Sequence, residues 1–537
     1  MAADSADAAA AAVAGRAVFW RGSCVQLLYS TLLQRPLEQR CLCVRWLPGS
    51  EEVPGSGPAM ERQRLLVGTG GEGGGGSAQC WLLLLSATLP AAAATPGQQE
   101  SYPTVPPRLL VKQRICHGPH DVNRAAPMPR DAALVATTSD CGEAFLFRLP
   151  AQPRRPRPAR RRGRQADGSG GAAMEVDCGG GGSQAGEEEE EEELEEEEEE
   201  EEEEEADGDR PVFAPDARLE GRASGGFGLA WDAAAGDRLL ATGGAEGGGG
   251  GGVVCTWDVS RAGQGGARVP PADARPAGHG GAAANDVSCH PEASGPFVTA
   301  GDDGALRLHD TREAPGGGAG GGQLLFSCPA GDTLDCVDWE QRPGGLVAAG
   351  GGGGALYVVD PRRPGAAALM ERRQHAGPVV QVEWAAAAPG VVASCGADGF
   401  VAVWDAAAVA AAAAGPAGAA GGAAAGPSGH AAAAPGGRRG RKSTVPQRMG
   451  GGGVGTAAAG GDAMRRHLRQ AGGGADGAPR GLLFLHAGHS AAQGIAWNPQ
   501  RPWMVASVGE APLSGEPPVE ESVVQVWSPL ALSSGQG

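Results

Sequence analysis

An all-β fold is expected from this sequence: a seven-bladed β-propeller with an N-terminal α-helix and long disordered low-complexity inserts. Three observations predict it. First, one pattern recurs five times, in "FGLAWDAAAGDRLLATGG…VVCTWDVS", "NDVSCHPEASGPFVTAGDDGALRLHDTR", "LDCVDWEQRPGGLVAAGGGGGALYVVDPR", "VQVEWAAAAPGVVASCGADGFVAVWDAA" and "QGIAWNPQRPWMVASVGE…VVQVWSP". Each copy reads as a short apolar strand, a Pro- or Gly-rich turn, a strand ending in small residues, a tight turn, and a strand closing on Trp-Asp or a relative of it. Second, the anchors Trp231, Cys289, Trp339 and Trp384 are spaced by 58, 50 and 45 residues, close to a blade repeat, and the longer step to Trp497 locates an insertion. Third, "GDDGAL" at 301–306 and "GADGFV" at 396–401 put Asp-Gly where a two-residue hairpin needs positive φ.

The elements follow in order. Residues 1–15 read as a disordered N-terminus. Residues 16–37, with Phe19, Trp20, Leu27, Leu28, Leu32 and Leu33 at amphipathic spacing, read as a helix lying on the propeller side. Residues 38–150 supply blades one and two, the weaker copies, from "RCLCVRWLP" to "AFLFRLP". An Arg-rich and Glu-rich insert at 151–210 joins blades two and three, and blades three to six occupy 211–405. A disordered Ala/Gly-rich insert at 406–479 joins blades six and seven. Blade seven takes 480–530, with a hairpin insert at 511–521, and 531–537 is a tail. Seven blades close a ring and remove free sheet edges. His279, His375 and His489 precede three of the units and are expected to knit blades by hydrogen bonds rather than to catalyse.

Composition narrows the function classes. The 537 residues carry a formal net charge of −19, and the run Glu187–Glu205, broken only by Leu194, supplies 18 of those negative charges. The rest is nearly neutral, and such a run repels itself and stays disordered. Lys occurs only at 112 and 442 and Ile only at 115 and 495. That drift dilutes the β-branched strand signal, so position and spacing carry the argument. The 12 cysteines include no CxxC pair, so neither a zinc motif nor a thioredoxin-type motif is expected, and no metal or cofactor is assigned. Asp4 and Asp7 replace the basic start of a secretory signal, and the Ala-rich run after Asp405 is broken by Gly415 and Pro416, so no membrane span is expected. A reducing nucleocytoplasmic setting fits. There is no GxxxxGK[ST], HExxH or GxSxG, and no His/Asp/Ser set stands apart from the blade pattern, so no enzyme activity is expected.

Several segments resemble a known family, the retinoblastoma-associated histone-binding WD40 proteins (the RbAp/MSI class), most of all its plant FVE-type branch. They are "FLHAGHSAAQGIAWNPQRPWMVASVGE" at 484–510 with the long insert before "VVQVW", "HDVNRAAPMP" at 120–129, "LDCVDW" at 334–339, "RQRL" at 62–65 and "FWRGSCVQLLYSTLLQRPLE" at 19–38. The resemblance implies a nuclear, non-enzymatic scaffold that carries histones H3 and H4 into deacetylase, Polycomb-type or nucleosome-assembly complexes. It implies two binding surfaces. One is a groove for a histone H4 helix, formed here by Phe19, Trp20, Leu27, Leu28, Leu32, Asp476, Leu482 and Phe484, with Arg480 standing where the family has an acid. The other is an acidic channel mouth for the histone H3 tail, formed by Asp121, Asn123, Arg124, Phe227, Asp286 and Asp335, with Gly225 and Asn285 replacing acids. Carboxylates and aromatics suit an Arg/Lys-rich peptide by ion pairing and cation–π contact. For each residue alone a solvated blade edge is an equal reading. The family also implies a cullin-four adaptor motif, matched weakly by Asp310/Arg312 and Asp360/Arg362.

"PRRPRPARRRGR" at 153–164 reads as a nuclear localisation signal or a nucleic-acid patch, and "GRRGRKSTVPQR" at 437–448 as a second basic patch; sequence-specific nucleic-acid binding is not expected. Two other functions remain open: a glutamate-rich WD protein of ribosome assembly, and a substrate receptor of a cullin-four ubiquitin ligase.

Overall fold

The computed structural model describes residues 28–53, 60–71, 79–91, 106–149, 214–222, 225–244, 252–261, 267–313, 322–342, 345–414, 480–511 and 522–530. Seven sheets, antiparallel but for one parallel pair, account for nearly all of them. Blade one is β2 (Cys41–Glu52), β3 (Met60–Thr69), β4 (Cys80–Pro90) and β5 (Arg108–Gly118). Blade two is β6 (Val122–Met128), β7 (Asp131–Ser139), β8 (Ala144–Arg148) and β9 (Ala217–Leu219), extended by β13 (Ala267–Val269) in parallel. Blade three is β10 (Leu229–Asp232), β11 (Arg238–Gly244), β12 (Gly252–Asp258) and β14 (Asp273–Pro276). Blade four is β15 (Ala284–Cys289), β16 (Pro296–Gly301), β17 (Ala305–Asp310) and β18 (Gln323–Ser327); blade five is β19 (Leu334–Trp339), β20 (Val347–Gly351), β21 (Ala355–Val359) and β22 (Met370–Arg373). Blade six is β23 (Val379–Trp384), β24 (Val391–Gly396), β25 (Val401–Asp405) and β26 (Leu482–His486). Blade seven is β27 (Ala491–Trp497), β28 (Val505–Glu510), β29 (Ser522–Pro529) and, outermost, β1 (Tyr29–Leu37).

That last strand corrects an expectation. A helix was expected over 16–37, but Tyr29–Leu37 pairs antiparallel with β29, so the earliest and latest described strands share one sheet and close the ring. Residues 16–27 lie outside the described residues. The reason is packing on both faces: Leu28 and Leu32 join the core between blades six and seven, whereas Leu33 and Leu37 join the core between blades one and seven. A strand buried on two sides loses its alternation and imitates a helical stripe. Pro36 fits the strand, because an edge strand leaves one side of its backbone without ladder bonds.

The blade boundaries also shift. The insert at 151–210 falls inside blade two, between β8 and β9, and that at 406–479 falls inside blade six, between β25 and β26. Each outermost strand therefore comes after the insert, and Leu482–His486 belongs to blade six rather than seven. The Ala-rich stretch begins with a helix, α1 (Ala406–Ala414), whose Val409 and Ala410 pack on the blade-five/six core. Ala has the highest helix propensity, and Asp405 caps the start by accepting the Ala408 N–H at 2.8 Å. The remaining residues 415–479, and all of 151–210, lie outside the described residues. The insert at 511–521 does sit in the β28–β29 hairpin.

The core is a set of clusters between neighbouring blades, with Trp257, Trp404 and Trp527 fully buried at the ends of third strands. The expected histidine ties are present. In blade six a chain runs from Trp404 Nε1–H to Ser394 Oγ (3.3 Å), from the Ser394 hydroxyl to His375 Nε2 (2.9 Å), and from His375 Nδ1–H to Asp398 Oδ1 (3.0 Å). Blade four repeats it with His309 in the tryptophan position, through Thr299 (2.9 Å) and His279 (3.0 Å) to Asp303 (2.7 Å). The Asp-Gly turns differ from the two-residue hairpins expected: Gly399 N–H donates back to Gly396 O (3.0 Å), and the glycine, at φ +81, alone takes the left-handed conformation. These are three-residue loops, in which only the last position needs glycine.

Candidate functional site

Inner strands β2, β6, β10, β15, β19, β23 and β27 surround a central cavity of about 350 Å³. In several of these strands the residue just before the anchor tryptophan is polar: Arg45, Asp338 and Glu383, with Ser288 before Cys289. Period-two geometry turns that position into the channel while the anchor faces the core. These polar groups also connect blades. Asp286 accepts the Val337 N–H (3.0 Å), Asp338 that of Trp384 (2.8 Å), and Glu383 that of Trp497 (3.0 Å). The indoles reciprocate, since Trp384 Nε1–H donates to Asp338 O (3.1 Å) and Trp497 Nε1–H to Glu383 O (2.9 Å). Two arginines balance the acids: Arg45 donates to Glu383 (2.8 Å) and Ile495 O (2.9 Å), and Arg124 to Gln381 (2.8 Å).

Burial governs the ionisation of this ring. It pushes the Asp338 carboxyl up to about 7, against the Trp384 N–H and Arg45, with the nearby Glu383 charge adding to the rise. Asp286 and Glu383 are also raised by burial, and Arg124 and Arg45 respectively pull them back. Charges with fixed partners in a low-dielectric wall behave as framework.

The mouth lies where first strands begin and where second strands turn into third strands. In ring order it presents Asp121 and Asp140 on blade two, Phe227 on blade three, Asp302 on blade four, and Asp332 and Asp335 on blade five. Phe227 is 56 % exposed, which is unusual for phenylalanine in a packed domain. Asp121 accepts the Gly71 N–H (2.7 Å), and its own N–H donates to Asp140 (3.1 Å). Asn285 donates to Asp302 (2.7 Å) and to Leu334 O (3.0 Å), and Thr333 donates to Asp335 (2.7 Å). Burial raises the Asp335 carboxyl, and the neighbouring Asp302 and Asp332 charges raise it further. This acidic arc on blades four and five would gain from an added cation.

Of the residues expected at the mouth, the structure keeps Asp121, Phe227 and Asp335 on the rim. It places Asn123, Arg124 and Asp286 in the buried wall. Asp302, Asp332 and Asp140 were missed as rim residues; the first sits in the turn motif "GDDG", whose second acid was read only as turn chemistry. Of the expected groove, Leu28, Leu32 and Phe484 pack in one cluster, with Tyr29 edge-on to Phe484 at 5.4 Å. Leu482 lies in a different cluster, beside Val409 and Ala410. The irregular pairing between Val403 and Trp404 explains this, because Leu483 has no place in the register and the faces switch after it. Phe19, Trp20, Leu27 and Asp476 lie outside the described residues.

No family model matches the chain. Over 298 residues it is 24 % identical to "Histone acetyltransferase type B subunit 2" of Schizosaccharomyces pombe, covering 54 % of each protein. It is 24 % identical over 290 residues to "WD-40 repeat-containing protein MSI3" of Arabidopsis thaliana, covering 53 % of this chain and 52 % of that protein. A third relative, "Histone acetyltransferase type B subunit 2" of Mycosarcoma maydis, is 23 % identical over 304 residues. The chain is related to WD40 proteins of the RbAp/MSI class. The matches span about half the length of these curated relatives.

In this chain the two adaptor-type motifs close on themselves. Arg312 pairs with Asp310, and Arg362 with Asp360 (2.8 Å), while each arginine stays about two-thirds exposed, at 66 % and 64 %. Their partners are supplied within two residues, as in a surface turn.

Proposed function

We propose that this chain is a non-catalytic, nuclear WD40 scaffold of chromatin-modifying or chromatin-assembly complexes, and that its channel mouth takes a basic histone tail. The observation that carries the reading is the acidic arc with an exposed aromatic: Asp302, Asp332 and Asp335 beside the channel, and Phe227 half-exposed next to them in ring order. A lysine or arginine entering there would offset the Asp302 and Asp332 charges that act on Asp335, of which, among the described residues, only Asp332 has a cation, Arg373, at 4.0 Å, and would stack on the Phe227 face. The names of two relatives, which describe a histone acetyltransferase subunit, favour a histone over other basic peptides. Arg45 and Arg124 in the channel below are already engaged by Glu383 and Gln381, so the contacts expected for the peptide are on the rim.

The test is fluorescence anisotropy with a labelled N-terminal histone H3 peptide and a charge-matched scrambled peptide. Asp335→Asn and Asp302→Asn should each weaken binding by about five- to tenfold, since a partly exposed charge-assisted contact contributes about 1 kcal/mol or slightly more. Equal affinity of the parent and of Asp302→Asn/Asp335→Asn for the H3 peptide would remove the mouth from the reading.

A further inference from the structure

The geometry points to a divalent-metal site of the zinc class on the mouth face of blade two, built by His120, Asp140 and Cys141. Nothing in the spacing of cysteines suggests it, because its donors come from two loops. His120 lies in the connection between β5 and β6, and Asp140 and Cys141 form the turn between β7 and β8. Ligand atoms of all three approach within 4.8 Å of one another, and His120 Nδ1 is 3.7 Å from Asp140 Oδ1. Zinc bonds of about 2.0–2.3 Å in tetrahedral geometry set donors roughly 3.2–3.8 Å apart. The imidazole and carboxylate already stand at that separation, and the exposed Cys141 thiol, now 2.9 Å from Ser139 Oγ, would exchange that contact for the ion.

The backbone beneath is fixed independently of any ion. Asp121 N–H donates to Asp140 Oδ1 (3.1 Å), which fastens one loop to the other. His117 Nδ1–H donates to His120 O (3.0 Å) and holds the first loop. In the second, Ser139 N–H and Oγ–H both donate to Glu143 O (3.1 and 2.8 Å), and Gly142 at φ +87 completes the turn. Loops held this way present donors with little ordering left to do.

The donor set selects the ion. One thiolate, one imidazole and one carboxylate form a borderline-soft site, which suits Zn²⁺ and disfavours Mg²⁺ and Ca²⁺. Three protein donors leave a fourth position for water. Cys141 is also set apart from the other cysteines among the described residues, all of which are buried. Burial pushes the Cys41, Cys80 and Cys395 thiols up to about 12, where no thiolate is available to an ion. A bound ion would join the two loops that carry Asp121 and Asp140.

The test is titration of the reduced, chelator-treated full chain with Co²⁺ as a spectroscopic stand-in for Zn²⁺. Thiolate-to-cobalt charge-transfer absorption reports sulfur ligation alone, so cobalt held by the glutamate run is silent. The expected result is a band that saturates near one equivalent, is abolished by added Zn²⁺ and is absent in Cys141→Ser. His120→Ala and Asp140→Asn should need at least about tenfold more cobalt, because each removes one of three protein ligands. Melting curves in chelator show whether each variant is folded, and any one folded variant decides the matter. No band in the parent chain, or an unchanged band in the folded variants, overturns the site.

Discussion

Replacing Asp338 by Asn should stabilise the protein, and more so as pH rises. In the fold, burial raises the Asp338 carboxyl from 3.8 to about 7. A raised acid is favoured neutral in the folded state, so its contribution declines as pH climbs through the unfolded value and is fully lost above the folded one. At 1.36 kcal/mol per pH unit, the loss is about 2 kcal/mol at pH 5 and about 4 kcal/mol at pH 8. Asn keeps the acceptor for the Trp384 N–H, 2.8 Å away, and its amide faces the Ser288 hydroxyl at 3.3 Å, which rotates to accept. It cannot ionise. The advantage of Asp338→Asn should therefore widen by about 2–3 kcal/mol between pH 5 and pH 8. Urea unfolding of both proteins at the two pH values measures it, since titrating groups that do not interact with Asp338 cancel in the difference. A constant difference, or a variant less stable at pH 8, would refute the assignment of Asp338 as a carboxyl strained by burial.

Other outcomes follow from the same structure. Ser394→Ala removes the hydroxyl between Trp404 Nε1 and His375 Nε2, leaves two buried groups unpaired, and should cost about 2–4 kcal/mol in denaturant unfolding. Gly399→Ala combines φ +81 with a Cβ only 2.3 Å from His489 O, and should cost more than about 1 kcal/mol in the same assay. Deleting Glu187–Glu205 should leave the melting temperature unchanged and lower histone affinity at low salt, an effect that fades as salt rises. Unchanged affinity at low salt would show that the run does not face histones.

The three inner strands of the repeats were legible because their signals are local. Trp231, Trp339, Trp384 and Trp497 mark inner strands, and "GDDG" and "GADG" mark turns whose glycines take positive φ at 304 and 399. The membership of strands in blades was less legible. Each repeat read along the chain gives three strands of one blade but not the outermost strand, which in blades two and six follows the insert. Hydrogen-bonded neighbours across an insert share no local pattern.

The sequence by itself determined an all-β ring of seven units and where along the chain its long inserts lie. Tertiary structure alone decided that Tyr29–Leu37 is a strand, since only the two cores flanking it reveal that its leucines pack to both sides. It alone separated rim from wall, leaving Asp335 and Phe227 at the surface and enclosing Asp286 and Arg124. It also brought His120 to Asp140 and Cys141 across 20 residues of chain, a meeting that depends on the closure of β6 against β7 and has no counterpart in sequence spacing.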